Sequence, residues 1–505
     1  MRSDYLRMFL PVASGAIIGV SLVYGPASLL GLVGLVPLFV FATSEQSPAK
    51  FLLGHWLYGV ALWGILLSWI FNLLPLAWAG LGTTSGILFV IFAWLTSVAL
   101  FALVPAVWAL LVKHAVKKNL YFLLFLGLPF WIGLEYVSSW LPTILWKGAG
   151  STLYPITLGH IGYLLAHFPN ALLLANYGSI YLLSAFVFFV NICVFFIITR
   201  PFTWKPVPFP SILINPPQLL FLFVLVFAAA ALIALPWLAA SRPKPAPKDK
   251  PPLRVALVTS NIPSWSEAAP DDTRRATAAL LRILQNISKE KIDLVIFPES
   301  SRVKNLIGDR ALNEIFRDSD VIVIDDTLIK KDGRLQSYLV VERPRDGTVV
   351  ASWSKSNLMM GGEYAPALVT AWAKAFGLSA TLKQYEANTY SPGDVTQAPV
   401  PIKDDKLAIS LCTEVWAPQF YKHQKRRGAS LLLNLSSDAL FHGSRVYREE
   451  RLRMLKVRAA ENNSYLIQAA NASPSLVVSP RGKIIVSVAA EPSQLYAYQI
   501  FSIRP

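Results

Sequence analysis

Three residues in the second half of this sequence carry side chains that acyl-transfer chemistry requires: Glu299, Lys355 and Cys412. Each directly follows an apolar run, "LVIFP", "VASWS" and "AISL" respectively. In α/β folds the carboxyl ends of strands, with the loops after them, build the functional site. Taken singly, a helix-capping glutamate, a solvated lysine or a buried cysteine would be unremarkable. Their joint placement after three apolar runs predicts one catalytic site.

The three side chains have complementary chemical roles. A thiol becomes a strong nucleophile when a neighbouring base takes its proton, so Glu299 is the candidate base for Cys412. Attack on a carbonyl creates an oxyanion that needs preorganised donors. Lys355 and the backbone N–H of Thr413, the residue after the nucleophile, are the candidate donors.

Two further acidic residues and an apolar segment are predicted to support this site. Glu363 and Glu414 are expected to offset the charge of Lys355 and to orient it. Residues 364–390 include "YAPALVTAWAKAF", an apolar arm next to Glu363. The arm is expected either to act as a lid that reaches a bilayer or to pack as a surface helix.

The two halves of the chain differ in composition. Residues 1–240 hold three of the 30 acidic residues and nine of the 46 Lys and Arg, so this half is apolar and the rest is ordinary soluble protein. Two cysteines, Cys193 and Cys412, exclude a disulfide framework. The formal charge of +16 is scattered rather than in one stripe, which favours contact with anionic lipid headgroups over binding of nucleic acid.

The apolar half predicts a transmembrane domain over residues 1–240 with about seven helices. The candidate spans lie at roughly 8–23, 27–43, 52–77, 84–112, 119–141, 171–199 and 218–240. Basic loops alternate with loops that have few or no basic residues, which places the N-terminus inside and everything after residue 240 outside. In a bacterium this predicts a multi-pass protein of the inner membrane whose second domain lies on the periplasmic face.

The soluble half is predicted to be an α/β domain over residues 253–505, joined by a Pro/Lys-rich linker at 241–252. Short β-rich runs alternate with helical segments expected at 271–290, about 417–428 and 444–463.

Several motifs resemble those of the nitrilase, or carbon–nitrogen hydrolase, superfamily. They are "FPES" at Glu299, "KSNL" with "GEYAP" at Lys355 and Glu363, "CTE" at Cys412, and "NLSSDALF". Behind seven spans, the sequence resembles one branch, the bacterial apolipoprotein N-acyltransferases. "LEYVSSWL" around Glu135 and "ANYGSIYLLSAFVFFVN" in the membrane half are similar to segments of that branch.

The resemblance implies an αββα sandwich and a specific reaction. An acyl chain would pass from a membrane phospholipid, through a Cys412 thioester, to the N-terminal amine of a diacylglyceryl-cysteine lipoprotein. It implies no cofactor, no metal and no nucleic acid. The sequence departs from the family pattern at several positions, for example at Thr413, where an aromatic residue is usual, and at Ser437 and Leu440. Those departures concern substrate choice more than reaction type.

Three alternatives remain from the residues themselves. One is a membrane-tethered amidase that uses the same three residues with water as acceptor. Another is a non-enzymatic relative that acts as a scaffold. A transporter is a weaker alternative, because Glu135 is the only acidic residue well inside a predicted span and a proton path usually needs partners.

Overall fold

The computed structural model describes residues 2–118, 122–148, 154–199, 251–264, 270–331, 334–387 and 389–505. The span predicted at 218–240 and most of the predicted linker lie outside these residues. The chain forms two compact units. The first comprises Met1–Leu66, Ser97–Tyr136 and Gly159–Lys244, and the second comprises Leu67–Thr96, Val137–Leu158 and Pro245–Pro505.

The N-terminal half is helical, as its apolar composition predicts. The helices are α1 (Arg2–Val23), α2 (Val36–Thr43), α3 (Pro48–Leu66), α4 (Thr83–Phe101), α5 (Leu103–Lys118), α6 (Leu128–Ser138), α7 (Leu141–Leu145) and α8 (Ala175–Thr199). Short 3₁₀ segments extend or join them at Gly25–Leu32, Leu67–Leu73, Ala77–Ala79, Ile161–His167 and Ala171–Leu174, with one π-helical turn at Leu123–Gly127. A helix satisfies its own backbone hydrogen bonds, which a lipid environment demands.

Among the residues that the structure describes, five helical segments are long and apolar enough to cross a membrane. They are Gly25–Thr43, Pro48–Leu73, Thr83–Val116, Leu123–Leu145 and Ala171–Thr199, with a shorter apolar helix at Arg7–Val23. The predicted multi-pass character is therefore confirmed. The count of seven spans stays a prediction, since one of them falls outside the described residues.

Small residues let α1 and α3 approach closely. A Cβ atom at Gly15 would lie 2.2 Å from the carbonyl oxygen of Tyr58, and one at Gly19 would lie 3.1 Å from the side chain of Ile65. Without a strong hydrophobic drive inside lipid, helices associate through such close backbone packing.

The described residues of the C-terminal domain form twelve strands. They are β1 (Leu253–Ser260), β2 (Leu294–Ile296), β3 (Ile322–Lys331), β4 (Arg334–Arg343), β5 (Thr348–Ser354), β6 (Val400–Ile402), β7 (Asp405–Leu411), β8 (Leu431–Ser437), β9 (Leu466–Asn471), β10 (Ser475–Val478), β11 (Ile484–Val488) and β12 (Tyr496–Ile503).

These strands form two six-stranded halves. One half has the order β5-β4-β3-β2-β1-β12, and the other has β6-β7-β8-β9-β10-β11. Ser260 of β1 pairs with Asn471 of β9 and joins the halves. The central strands β1-β2-β3 and β7-β8-β9 run parallel within their halves. Their carboxyl ends therefore lie together at one edge of each half.

Helices cover the sheets. They are α9 (Pro270–Ile287), α10 (Val303–Ile307), α11 (Asp309–Ile315), α12 (Ala367–Ala375), α13 (Ser379–Ala387), α14 (Pro418–Arg426) and α15 (Arg445–Glu461). The helices predicted at 271–290, 417–428 and 444–463 correspond to α9, α14 and α15. On α9, the fully buried Leu280, Leu284 and Ile287 recur at helical spacing and pack into the core of the first half. The predicted fold class, a multi-pass helical domain followed by an α/β domain, is confirmed.

Candidate active site

Three strand ends bring the predicted residues together. Glu299 follows β2, Lys355 directly follows β5, and Cys412 directly follows β7. All three line one cavity of about 600 Å³. The ammonium of Lys355, 1% exposed, donates to Oε1 of Glu299 at 3.0 Å and to Oε1 of Glu363 at 2.7 Å. The site therefore holds a lysine between two carboxylates beside a buried thiol.

The candidate nucleophile, Cys412, lies on a strained backbone. Cys412 has φ of +47° and begins the tight 3₁₀ turn Cys412–Trp416. A non-glycine residue in the left-handed region persists only where its surroundings enforce it. Nδ2 of Asn434 does so in part, because it donates to the carbonyl oxygen of Cys412 at 3.2 Å and to Oγ of Ser410 at 2.8 Å. The N–H of Thr413 belongs to the first turn of this short helix, where backbone donors have no intrahelical partner.

Glu299, the candidate base, is fixed from two sides. Oε1 of Glu299 accepts from Lys355, and Oε2 accepts the N–H of Ser437 at 3.1 Å. Beyond Glu299 the chain makes a tight loop in which Ser300 has φ of +72° and Arg302 has φ of +45°. The carboxylate of Glu299 is thus held at the cavity wall in one orientation.

The two supporting glutamates act differently. Glu363 contacts Lys355 directly and also accepts the N–H of Met359 at 2.7 Å. Glu414 is fully buried, and its carboxylate accepts hydrogen bonds from backbone N–H groups and a serine hydroxyl rather than from the ammonium of Lys355. It accepts the N–H of Leu411 at 2.8 Å, the N–H and hydroxyl of Ser356, and the N–H of Asn357. Glu414 therefore ties the segment after Lys355 to the strand end that bears Cys412.

Burial and charge set the protonation of the site. Burial raises the pKa of the Cys412 thiol, the negative charge of Glu299 raises it further, and Lys355 only partly opposes this. Burial alone would lower the pKa of Lys355, but Glu299 and Glu363 raise it well above its usual value. Burial also raises the pKa of Glu363, against the attraction of Lys355. At neutral pH the resting site therefore holds a neutral thiol beside a charged lysine.

The cavity borders a second, apolar pocket of about 70 Å³. Trp78 and Tyr385 line both spaces, and their rings lie 6.2 Å apart. Phe89 of α4 and Trp372 of α12 contribute to the apolar pocket. An apolar chain attached at Cys412 would find hydrocarbon surface next to the reaction centre.

The predicted apolar arm forms α12 and α13. Trp372 packs against Phe89 and Phe92 of α4, with ring centroids 5.7 and 5.3 Å apart. Leu368 is 44% exposed and Phe376 is 67% exposed. The arm is packed in this structure, and its motion as a lid stays a prediction.

Several residues of the site were missed by the sequence reasoning. Tyr447 of α15 is buried, stacks on Phe441 at 3.7 Å, and lies close enough to Cys412 for the thiol to raise its pKa beyond the effect of burial. Asn434 and Arg302 were also missed. Asn434 begins the motif "NLSSDALF", and its position near the end of an apolar run could have indicated a site residue. Nothing in the sequence singled out Tyr447 or Arg302.

The comparisons with known proteins agree with this architecture. Residues 14–193 match the family model of the apolipoprotein N-acyltransferase N-terminal domain, and residues 343–500 match the carbon–nitrogen hydrolase model. The apolipoprotein N-acyltransferase of Gloeobacter violaceus is 26% identical over 479 residues, covering 94% of this chain and 84% of that protein. The one from Geobacter metallireducens is 26% identical over 515 residues, covering 96% and 86%.

Solved structures that align with the chain include the C. elegans NitFhit protein, with a TM-score of 0.38, 16% identity, and coverage of 50% of this chain and 61% of that chain. An amidase from Nesterenkonia aligns with a TM-score of 0.35 and 18% identity, covering 50% and 90%.

Proposed function

Because the chain belongs to the apolipoprotein N-acyltransferase family, we propose that it acylates the N-terminal amine of diacylglyceryl-cysteine lipoproteins. The acyl donor is a membrane phospholipid, and the carrier is a thioester on Cys412. The observation that carries the proposal is the buried Glu299–Lys355 pair beside Cys412 in a cavity that borders an apolar pocket.

In the first half-reaction Glu299 takes the proton of the Cys412 thiol, and the sulfur attacks the ester carbonyl of the phospholipid. The S–C bond forms and the negative charge on the carbonyl oxygen is stabilised by Lys355 and by the N–H of Thr413. The ester C–O bond then breaks. The lysophospholipid oxygen takes the proton from Glu299 and leaves, so Cys412 carries the acyl chain.

In the second half-reaction the neutral α-amine of the lipoprotein attacks the thioester. The C–N bond forms through the same oxyanion environment, the C–S bond breaks, and the proton lost by the amine returns to the thiol through Glu299. One thiol carries one acyl group at a time, so the two substrates use the site in turn.

The surroundings of the site favour an amine over water as acceptor. Trp78, Met359, Leu440 and Phe441 contribute apolar surface to the catalytic cavity. Excluding water protects a thioester from hydrolysis. This favours acyl transfer over the amidase alternative.

The cellular location belongs to the same proposal. Basic loops alternate with loops that have few or no basic residues, which supports an inner-membrane protein with its catalytic domain on the periplasmic face. Labelling of an engineered surface cysteine in the C-terminal domain of intact spheroplasts by an impermeant maleimide tests this. Protection of that cysteine from the reagent would contradict it.

Intact-mass analysis of the purified protein tests the chemistry. Incubation with phospholipid alone should add one acyl mass to the wild type and none to Cys412→Ala. The matched control is Cys193→Ala, which lacks the other cysteine and should be acylated like the wild type. Acylation of Cys412→Ala would show that another residue is the nucleophile.

A further inference from the structure

The catalytic cavity contains a second cation whose role the proposed reaction has not used. Among the described lining residues the cations are Lys355 and Arg302. The ammonium of Lys355 is already held at 3.0 Å and 2.7 Å by Glu299 and Glu363. Any anionic part of a substrate that enters this cavity meets two carboxylates, and Arg302 adds a second positive charge to the cavity wall.

Arg302 is held in place by an elaborate local framework. Its φ of +45° is in the left-handed region, as is that of Ser300 at +72°. Its N–H donates to Oδ1 of Asp326 at 3.2 Å, and the next N–H, that of Val303, donates to Oδ2 of Asp325 at 2.6 Å. Both aspartates are at least 95% buried. Strain of this kind persists where the surroundings over-determine it, and it clusters at functional sites.

The framework places Arg302 in the cavity wall. Arg302 is half-buried and lines the cavity together with Glu299 and Tyr390. The carboxylate of Asp326 accepts hydrogen bonds from backbone N–H groups of the loop, including those of Ser300 and Ser301. Its negative charge also interacts with the positive charge of Arg302. The loop that carries the base therefore also presents a cation to the substrate space.

A phosphodiester fits this arrangement. It carries a single negative charge on oxygens that the planar guanidinium fork can bind bidentately. Placing such a charge in a partly apolar cavity without a cation would be costly. The proposed acyl donor has a phosphodiester, whereas the reacting end of the acceptor is an amine.

We infer that Arg302 binds the phosphate group of the phospholipid donor and so places the donor's ester for attack by Cys412. This inference rests on the proposed function and deepens it. Arg302 contacts the phosphate in the first half-reaction, when the phospholipid is bound, and that contact is lost in the second, after the lysophospholipid has left.

The experiment measures acylation of Cys412 by intact mass in the purified full chain with two donors. One is a phospholipid, and the other is p-nitrophenyl palmitate, which has an acyl ester and no phosphate. Arg302→Gln should lower kcat/KM for the phospholipid roughly 10- to 100-fold, as expected for a charge-assisted hydrogen bond, and leave the p-nitrophenyl ester within about twofold. Arg302→Lys, which keeps the charge without the fork, should be intermediate. Arg310→Gln is the matched control, since Arg310 is exposed on α11 and does not line the cavity.

Each other outcome contradicts the inference. An equal loss with both donors would make Arg302 a structural part of the base loop, and no loss with either would remove it from the site. If Arg302→Gln leaves acylation by phospholipid unchanged, while inorganic phosphate at about 10 mM inhibits the wild type but not Arg302→Gln with the p-nitrophenyl ester, the residue binds free phosphate rather than a lipid headgroup. A wild type that no phospholipid acylates would instead refute the proposed donor, while normal acylation with an unaffected Arg302→Gln would refute only the role of Arg302.

Discussion

Nζ of Lys355 lies 3.0 Å from Oε1 of Glu299, and both groups are buried beside a thiol whose pKa is raised. The two groups form an ion pair at rest. The carboxylate that accepts the thiol proton in the proposed mechanism therefore also disfavours the thiolate. Removing the charge of Glu299 should therefore increase the reactivity of the free thiol and decrease the rate of acyl transfer.

Glu299→Gln should make Cys412 more reactive toward a small alkylating reagent and yet nearly inactive in acyl transfer. The carboxylate raises the pKa of the thiol and Lys355 lowers it, so the amide should lower that pKa and raise the thiolate fraction at a given pH. The rate of iodoacetamide alkylation between pH 6 and 9 measures this. In the wild type that rate should climb throughout this range without a plateau, because the folded thiol pKa lies above it.

Loss of the base should meanwhile reduce acylation of Cys412 by phospholipid roughly 10²- to 10⁴-fold. Slower alkylation in Glu299→Gln than in the wild type would contradict the electrostatic account, since it would mean that the carboxylate activates the resting thiol.

Glu363→Gln distinguishes the effect of a carboxylate's charge on the thiol pKa from the effect of losing the base. Glu363 also raises the thiol pKa and bonds Lys355 at 2.7 Å, but in the proposed mechanism it takes no proton from Cys412. Alkylation should again be faster than in the wild type. Acylation by phospholipid should fall less than in Glu299→Gln, by roughly 10- to 100-fold, because a neighbour that orients the oxyanion donor has changed. An equal loss in the two variants would give Glu363 a share in proton transfer.

Glu414→Ala should destabilise the protein. Its carboxylate accepts three backbone N–H groups and the hydroxyl of Ser356 within a buried site. Leaving buried donors unsatisfied costs about 1–3 kcal/mol each, so we expect a loss of about 3 kcal/mol or more in the free energy of unfolding. Thermal or denaturant unfolding in detergent measures it. Glu386→Ala, at an exposed position of α13, should change it by less than about 0.5 kcal/mol.

Trp372→Ala should weaken use of long-chain donors. Trp372 joins α12 to Phe89 and Phe92 of α4 and lines the apolar pocket beside the cavity. We expect KM for a phospholipid with 16-carbon chains to rise roughly 10-fold with little change in kcat, since each methylene that loses its contact forfeits up to about 0.8 kcal/mol. Trp372→Phe, which keeps an aromatic contact, should stay close to wild type. A fall in kcat at unchanged KM would instead indicate a lid that must close for chemistry.

The sequence predicted most of the fold because hydrophobic periodicity encodes it locally. The runs before Glu299, Lys355 and Cys412 are strands or strand ends, and parallel strands must expose their carboxyl ends at a common edge. Strands β6, β10 and β12 were missed, although β12 pairs along the whole length of β1. A strand at the end of a chain shows its partner only once the sheet is assembled.

The details of the site depended on tertiary contacts that no local pattern carries. Glu414 was expected to offset the charge of Lys355 and to orient it. In the structure it bonds the backbone of Ser356 and Asn357, which requires two distant loops to meet. Residues 67–96 likewise belong to the same compact unit as the catalytic domain, and this grouping depends on contacts between segments far apart in the sequence. Hydropathy shows that such a segment is apolar, and it does not show what the segment packs against.

The order of the two half-reactions gives the last prediction. A purified enzyme given phospholipid alone should release about one equivalent of lysophospholipid, then stall until a diacylglyceryl peptide is added. The stall requires that water stay away from the thioester, which the apolar lining of Trp78, Leu440 and Phe441 favours. The second step needs a neutral amine, so its rate should rise with pH through the usual α-amino range near 7.7–8.0 and then level off. Continuous release of free fatty acid without the peptide would identify water as the acceptor and support the hydrolase alternative.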